Sequence, residues 1–225
     1  MGTSATDRVL VGLARLVTEA PWTLGQSDRA RAHDAGLDDD AILHVIALSA
    51  FFGYLNRIAD AVGIELDYDV AHRPPAAVPD TPPLASPELS AWPDPDAPRL
   101  IDLARRPLTA DAFADCLAYV HERDRPLAVR QRQLIARAVA GRLGDAATVR
   151  ALAHVEAAYT ELDHALEAFA DVMTLAPWRL GASSLDALRA ASLTDDAAIF
   201  DAVSVAAFST TTSRVTVALA ALARP

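Results

Sequence analysis

Ala20-Pro21-Trp22-Thr23-Leu24-Gly25 returns 156 residues later as Ala176-Pro177-Trp178-Arg179-Leu180-Gly181. Carried outward in the same register, the offset pairs Asp7 with Asp163, Leu10 with Leu166, Thr18 with Thr174, Leu37 with Leu193 and Phe52 with Phe208. It also aligns Asp39-Asp40-Ala41 with Asp195-Asp196-Ala197. Across residues 7–52 there are 17 identities in 46 positions without a gap, so an internally repeated unit is the reading that organises the chain.

Each unit has the same local grammar. Val9, Leu10, Leu13, Leu16 and Val17 recur at helical spacing and predict a lead-in helix. Ala-Pro-Trp breaks it, because proline has no N–H to donate and restricts the residue before it. A short polar helix is expected over about 27–35 and 183–191. Asp38 or Thr194 then caps a long helix, with acids in its first turn that suit the positive end of the helix dipole. The long helices are expected over 39–62 and 195–220. The first is apolar around most of its surface and reads as a central core helix, or equally as a subunit interface.

Three more helices are expected between the units: 109–122 with Thr109 as N-cap, 127–143, and one long helix over 146–173. Nine of the fourteen prolines lie between Pro74 and Pro98, so that stretch cannot be helical and reads as a connecting strap, with Trp92 docking it to the body. The organisation expected is a first helical repeat over 1–70, a proline-rich strap over 71–98, and a second helical block over 99–225, together forming one compact domain. The fold class is all-α: glycine is sparse, aromatics make up 6%, and no hairpin signal appears.

Composition narrows the function. The net charge of −10 argues against nucleic acid as a partner. A single cysteine, Cys116, excludes a disulfide framework and any CxxC pair within the chain. The twenty cations are all arginine, which excludes a Schiff-base or P-loop lysine. No signal peptide is visible and no uncharged apolar run reaches 18 residues, so a cytoplasmic protein with no membrane span is expected.

Leu37-Asp-Asp-Asp-Ala-Ile-Leu begins a segment that continues through an apolar helix to Asn56-Arg57-Ile-Ala59-Asp60-Ala-Val-Gly63. It resembles the C-terminal helix of peroxidase-related members of the alkylhydroperoxidase D-like, or carboxymuconolactone decarboxylase, superfamily. Gly53 stands where that pattern has an asparagine, and the second unit has lost the ending. Arg130-Gln-Arg-Gln-Leu-Ile-Ala-Arg-Ala-Val-Ala-Gly-Arg-Leu-Gly144 is similar to the core-helix sequence of the same superfamily. The resemblance implies an all-α, duplicated, alkylhydroperoxidase D-like bundle and a homo-oligomer.

The resemblance also implies a CxxCxxxH redox site with an upstream glutamate, and here all four positions differ. The two cysteines fall on Asp145 and Thr148, the histidine on Leu152 and the glutamate on Gln133. Thiol peroxidase chemistry needs a low-pKa thiolate and a resolving thiol, and neither Asp145 nor Thr148 supplies one. The implied function is a homologue without thiol peroxidase activity, structural or small-molecule-binding, with a small-molecule ligand or an active paralogue as possible partner and no cofactor. One alternative is a non-redox enzyme of the decarboxylase type, with Asp145 and His154 as acid and base. Another is a residual one-cysteine peroxidase using Cys116.

Each candidate also has a structural reading. Asp145, after Gly144, serves as a helix N-cap. Cys116 and His121 are five apart, which on a helix turns their side chains about 140° away from each other. Glu161 lies three residues before His164 and seven after His154, suggesting a shared face on one long helix. Asn56, Arg57 and Asp60 either fix a helix end or face a pocket or subunit boundary. Arg130, Arg132, Arg137 and Arg142 read as a solvated face or an oligomer contact rather than an anion site.

Overall fold

The computed structural model describes residues 4–64, 107–155 and 160–224, with backbone alone for 107–114. The proline-rich strap and Trp92 lie outside the described residues. Among the described residues all regular structure is helical. The first stretch holds α1 (Ala5–Glu19), α2 (Gln26–Asp34) and α3 (Asp39–Val62); the second holds α4 (Pro107–Glu122), α5 (Val129–Leu143) and α6 (Ala146–Ala151). The third holds α7 (Glu161–Leu175), α8 (Ala182–Ala190) and α9 (Asp196–Leu222). One-turn 3-10 helices at Pro21–Thr23 and Pro177–Arg179 follow α1 and α7, where proline stops each helix.

The turns around these elements run in parallel. Ala20 sits at φ −152°, ψ 62° and Ala176 at φ −147°, ψ 56°. The Leu37 N–H donates to Ala32 O at 2.9 Å, and the Leu193 N–H to Leu188 O at 3.0 Å. Gly36 has φ 85°, and Ser192, at the same place after α8, has φ 77°, a left-handed conformation that costs a non-glycine residue about 1 kcal/mol. Ser4 caps α1 with a reciprocal bond from Asp7, and Thr160 caps α7 with one from Asp163.

Two apolar clusters meet along α9, and α3 adds Ala61 to one and Ile42, Ile46 and Ala50 to the other. Leu13, Val17, Ala32, Ile42, Ile46 and Ala50 pack against the C-terminal half of α9 through Val215, Ala218 and Leu222. Ile135, Val139, Leu166, Phe169, Met173 and Leu188 pack against its N-terminal half through Ile199, Ala202, Val203 and Ala206. The central helix is therefore α9 and not α3. Of the most apolar window in each, 78% is buried in α9 and 28% in α3, although both are long and apolar enough to span a membrane by length and composition.

Three local expectations need correction. The single helix over 146–173 is two: α6 ends at Ala151, a turn follows through His154, and Thr160 starts α7 afresh. His154 and Glu161 therefore do not share a helix. The N-cap of α9 is Asp195, whose carboxylate accepts from the Ala197 N–H at 3.1 Å; Thr194, one residue earlier, is exposed. Of the four arginines of α5, expected as a solvated face, Arg142 is exposed and pairs with Asp171, while the other three are drawn into contacts within the fold. Arg132 is fully buried (0% exposed) and donates Nε to Asp201 Oδ2 at 2.8 Å, while Arg130 donates to Asp163 at 2.8 Å and Arg137 to Val155 O at 2.7 Å.

Arg132 ties four segments together. Besides Asp201 on α9, it donates to Tyr119 O at 2.7 Å, Arg123 O at 2.9 Å and Arg125 O at 2.7 Å, and its guanidinium lies 4.4 Å from the Tyr119 ring centroid. Asp201 also accepts from the Tyr119 hydroxyl at 2.9 Å and the Leu127 N–H at 3.1 Å. Burial strips these groups of water, and the cluster supplies hydrogen-bond partners to both charges instead. Removing one partner leaves the other charge buried and alone. Asp201→Ala and Arg132→Ala should each cost about 3–5 kcal/mol in urea denaturation, against under about 1 kcal/mol for breaking the exposed Arg15–Glu19 pair.

Candidate functional site

A polar seam runs through the protein where the two apolar clusters meet on α9. Its spine is Ser209-Thr210-Thr211-Thr212-Ser213-Arg214, five hydroxyls and a cation inside a helix that is otherwise mostly apolar. Small side chains let neighbouring helices approach closely, and the hydroxyls satisfy themselves locally. Thr210 Oγ1 donates to Ala207 O at 2.7 Å, and Thr211 Oγ1 reaches both Ala207 O and Ala50 O of α3 at 3.2 Å.

Asp145 meets this seam. It is buried (2% exposed) and stands at the start of α6, where the tight turn is made by Gly144 in the left-handed conformation (φ 73°). Its carboxylate accepts from the Thr148 N–H at 3.1 Å, the Thr148 hydroxyl at 2.7 Å and the Ser213 hydroxyl at 2.9 Å. Burial pushes its pKa above the ordinary carboxylate value, and the Thr148, Ser213 and Ala147 donors pull it part of the way back. Asp145 and Thr148 are thus brought together as a cap and its partner. A carboxylate with its lone pairs engaged by three donors has little capacity left to act as a general base.

The other candidate residues are elsewhere. α6 folds back along α5, so Leu152 is buried beside Leu134, Ala136 and Val155. Gln133 is half-buried and its amide donates to His121 O at 3.3 Å. His154 is exposed, its Nδ1 3.1 Å from Ala151 O. Cys116 is exposed on α4, while His121 Nδ1 is buried without a hydrogen-bond partner, and burial lowers the pKa of that ring. Asn56 and Asp60 are exposed near the end of α3. Among the described residues no three His, Cys, Asp or Glu side chains gather into a group able to hold a metal ion.

Arg57 does more than fix the end of its own helix. It is buried (5% exposed), donates Nε to Met173 O of α7 at 3.0 Å, and folds Nη1 back onto Gly53 O at 2.9 Å. Beside it Arg214, equally buried, donates to Thr18 O of α1 and Thr174 O of α7, both at 3.1 Å. Desolvation lowers Arg57 to about 10 and takes Arg214 well down, with the Arg57 charge adding to the effect on Arg214. Arg214, Ser213, Asp201 and the burial of Arg132 were missed by sequence reasoning. The available signal was one arginine, and one aspartate beyond the first turn, inside a 27-residue apolar helix, since a charge is buried only where it finds partners.

Two surface depressions of about 370 and 400 Å³ lie away from the seam. One is lined by Arg8, Val9, Gly12, Asp28 and Arg31 between α1 and α2, the other by His33 and Leu37 to Asp39. In the second, Asp39 is held down at about 2 by the Arg29 and His33 hydrogen bonds. These are exposed ion pairs at a helix start, an arrangement of modest energetic worth.

Compared with protein-family models, with characterised proteins and with solved structures, the chain matches none. Its site therefore has to be probed through its own residues, and Asp145 gives a clear sign. A carboxyl whose folded pKa is raised contributes stability that is complete below its unfolded value of 3.8 and is lost as pH rises through the higher folded value. Asp145→Asn keeps a capping oxygen and removes that titration. Its stability in urea, relative to the wild type, should improve between about pH 4 and about pH 7. Asp145→Ala should cost about 1–3 kcal/mol at both. A wild type that gains on Asp145→Asn as the pH rises contradicts the assignment.

Proposed function

We propose that this chain is a duplicated, alkylhydroperoxidase D-like helical protein in which the thiol peroxidase centre has been replaced by structural contacts. It then serves as a structural or small-molecule-binding homologue rather than as a peroxidase. The observation that carries this reading is Leu152. Where the resemblance calls for an imidazole, a buried leucine packs with Leu134, Ala136 and Val155. Asp145, at the first cysteine position, is spent on Thr148 and Ser213. Neither arrangement leaves a nucleophile or a proton relay at that place.

Duplication is supported by the bonds that recur at the 156-residue offset. The Thr23 and Arg179 N–H groups donate to Ala20 O and Ala176 O at 2.9 and 2.8 Å, and the Gly36 and Ser192 N–H groups to His33 O and Arg189 O at 2.9 and 3.0 Å. Ser192 holds a positive φ in the position of a glycine, the residue type that pays least for it.

The test is peroxide consumption by the purified chain with an excess of a thiol reductant, beside Cys116→Ala. No turnover in either protein is the expected result. Turnover that vanishes in Cys116→Ala overturns the proposal in favour of a one-cysteine peroxidase, for which the exposure of Cys116 would give peroxide access. Turnover that survives the substitution overturns it in favour of a reaction that needs no thiol.

A further inference from the structure

α3 carries a face that nothing among the described residues covers. Leu48 is 55% exposed, Phe51 50%, Phe52 58% and Leu55 42%. The four sit at i, i+3, i+4 and i+7, one continuous face of the helix, opposite the stripe Ile42, Ile46, Ala50 that packs into the core. Phe51 and Phe52 meet edge to face with ring centroids 6.2 Å apart, and Phe51 stacks on Tyr54 at 6.4 Å. From Val45 to Asn56 there is no charged residue, whereas Asp39, Asp40, His44 and Asp60 lie exposed beyond the two ends.

α9 shows what such a face does when it has a partner. Phe208, at the 156-residue offset from Phe52, is partly buried against the larger core cluster, and its helix is buried along most of its length. Among the described residues α5 lies against α7 and α9, and no equivalent helix covers α3.

The sequence of the exposed face identifies the cover. Leu48-x-x-Phe51-Phe52-x-x-Leu55 reads the same from either end. A two-fold interface must be self-complementary, each residue meeting its symmetry mate's counterpart. An antiparallel crossing of two α3 helices with the axis between Phe51 and Phe52 sets Leu48 against Leu55 of the other copy and the phenylalanines against each other. It also brings His44 of one helix level with Ala59 of the other, one residue from Asp60. A half-exposed phenylalanine contributes about 100 Å² of apolar surface, so the four side chains present an apolar patch of the size that marks interaction surfaces on otherwise monomeric proteins.

We infer that the Leu48–Leu55 face of α3 is the contact surface for a second copy of this chain, packed as an antiparallel α3 pair about a two-fold axis. The inference is independent of the chemistry proposed above, since no residue of the Asp145 seam takes part.

Sedimentation equilibrium of the full chain over a range of concentrations tests it. The expected species has twice the 23.8 kDa chain mass. Phe52→Glu should weaken self-association by about 30-fold or more, as for a central aromatic anchor, while leaving the far-UV circular dichroism and melting temperature of the monomer unchanged, because the side chain has no core contacts to lose. Val11→Glu, 65% exposed on α1, is the control and should associate like the wild type. In a Cys116→Ser background, the double variant Ala47→Cys/Asn56→Cys should cross-link copies only if α3 pairs in this register, which sets residue 47 of one copy level with residue 56 of the other. A monomeric wild type, or Phe52→Glu that associates as the wild type does, overturns the inference. So does a wild-type monomer that floats with phosphatidylcholine–phosphatidylglycerol vesicles through Phe52, which assigns the face to a lipid surface.

Discussion

α1 and α7 both end inside the protein, and a helix that ends in the core leaves carbonyl oxygens that water cannot reach. Arg214 and Arg57 answer them. Arg214 joins Thr18 O at the end of α1 to Thr174 O at the end of α7, and Arg57 takes Met173 O one residue earlier. Among the described residues no carboxylate hydrogen-bonds to either guanidinium; the negative ends of the two helices, with the Asp60 charge near Arg57, are their counter-charge. The cost is visible in both groups, Arg57 drawn down to about 10 and Arg214 further below its ordinary value. A planar guanidinium with five donors is suited to serve carbonyls from two helices at once. Gly53 follows from the same constraint: a Cβ there would stand 2.9 Å from Arg57 Nη1. An asparagine at that place would push the guanidinium off Gly53 O.

α9 makes this possible because it is built from small residues. Alanine, valine, serine and threonine along its length let α3, α5 and α7 come close enough for arginines on two helices to reach the ends of α1 and α7. Its hydroxyls bond back to the preceding turn and add no unsatisfied group. The same helix carries Asp201 at its other end, where Arg132 fastens α4 and the following loop. One helix thus holds a buried cation toward the first half and a buried anion toward the middle segment. α3, with larger side chains, buries one face against α9 and leaves the other exposed.

Local signals were legible in the sequence, and long-range ones were not. The spans of α2, α3, α5 and α8 lie within two residues of expectation because caps, proline stops and periodicity are written in adjacent positions. The break after Ala151 was not legible, since Ala146 to Met173 keeps a helical composition throughout. The turn there is held by contacts from outside it, Leu152 on Leu134 and Ala136, and Arg137 on Val155 O. Hydropathy placed α3 at the centre because it measures how apolar a helix is, whereas burial depends on which neighbours the chain folds against it. Arg132 was misjudged for the same reason: its partner Asp201 is 69 residues away. At the candidate site the capping role of Asp145 was legible from Gly144 beside it, but its bond to Ser213, 68 residues on, was not.

Asp145 shows how one backbone position can serve opposite chemistries. The first residue of a helix lies at the positive end of its dipole, which lowers the pKa of an acid there and is one of the ways a cysteine thiol is activated. Asp145 has that position and three hydrogen-bond donors, all of which favour its ionised form. Its pKa is nevertheless raised, with burial as the largest cause. α6 has six residues, so its dipole is short, while the carboxyl is almost wholly removed from water. Desolvation wins, and a place suited by backbone geometry to activating a nucleophile instead holds a carboxyl that fastens α6 to α9. Charge chemistry at this position would need solvent, and the packing of Leu152 on α5 and Ser213 against Asp145 is what keeps solvent out.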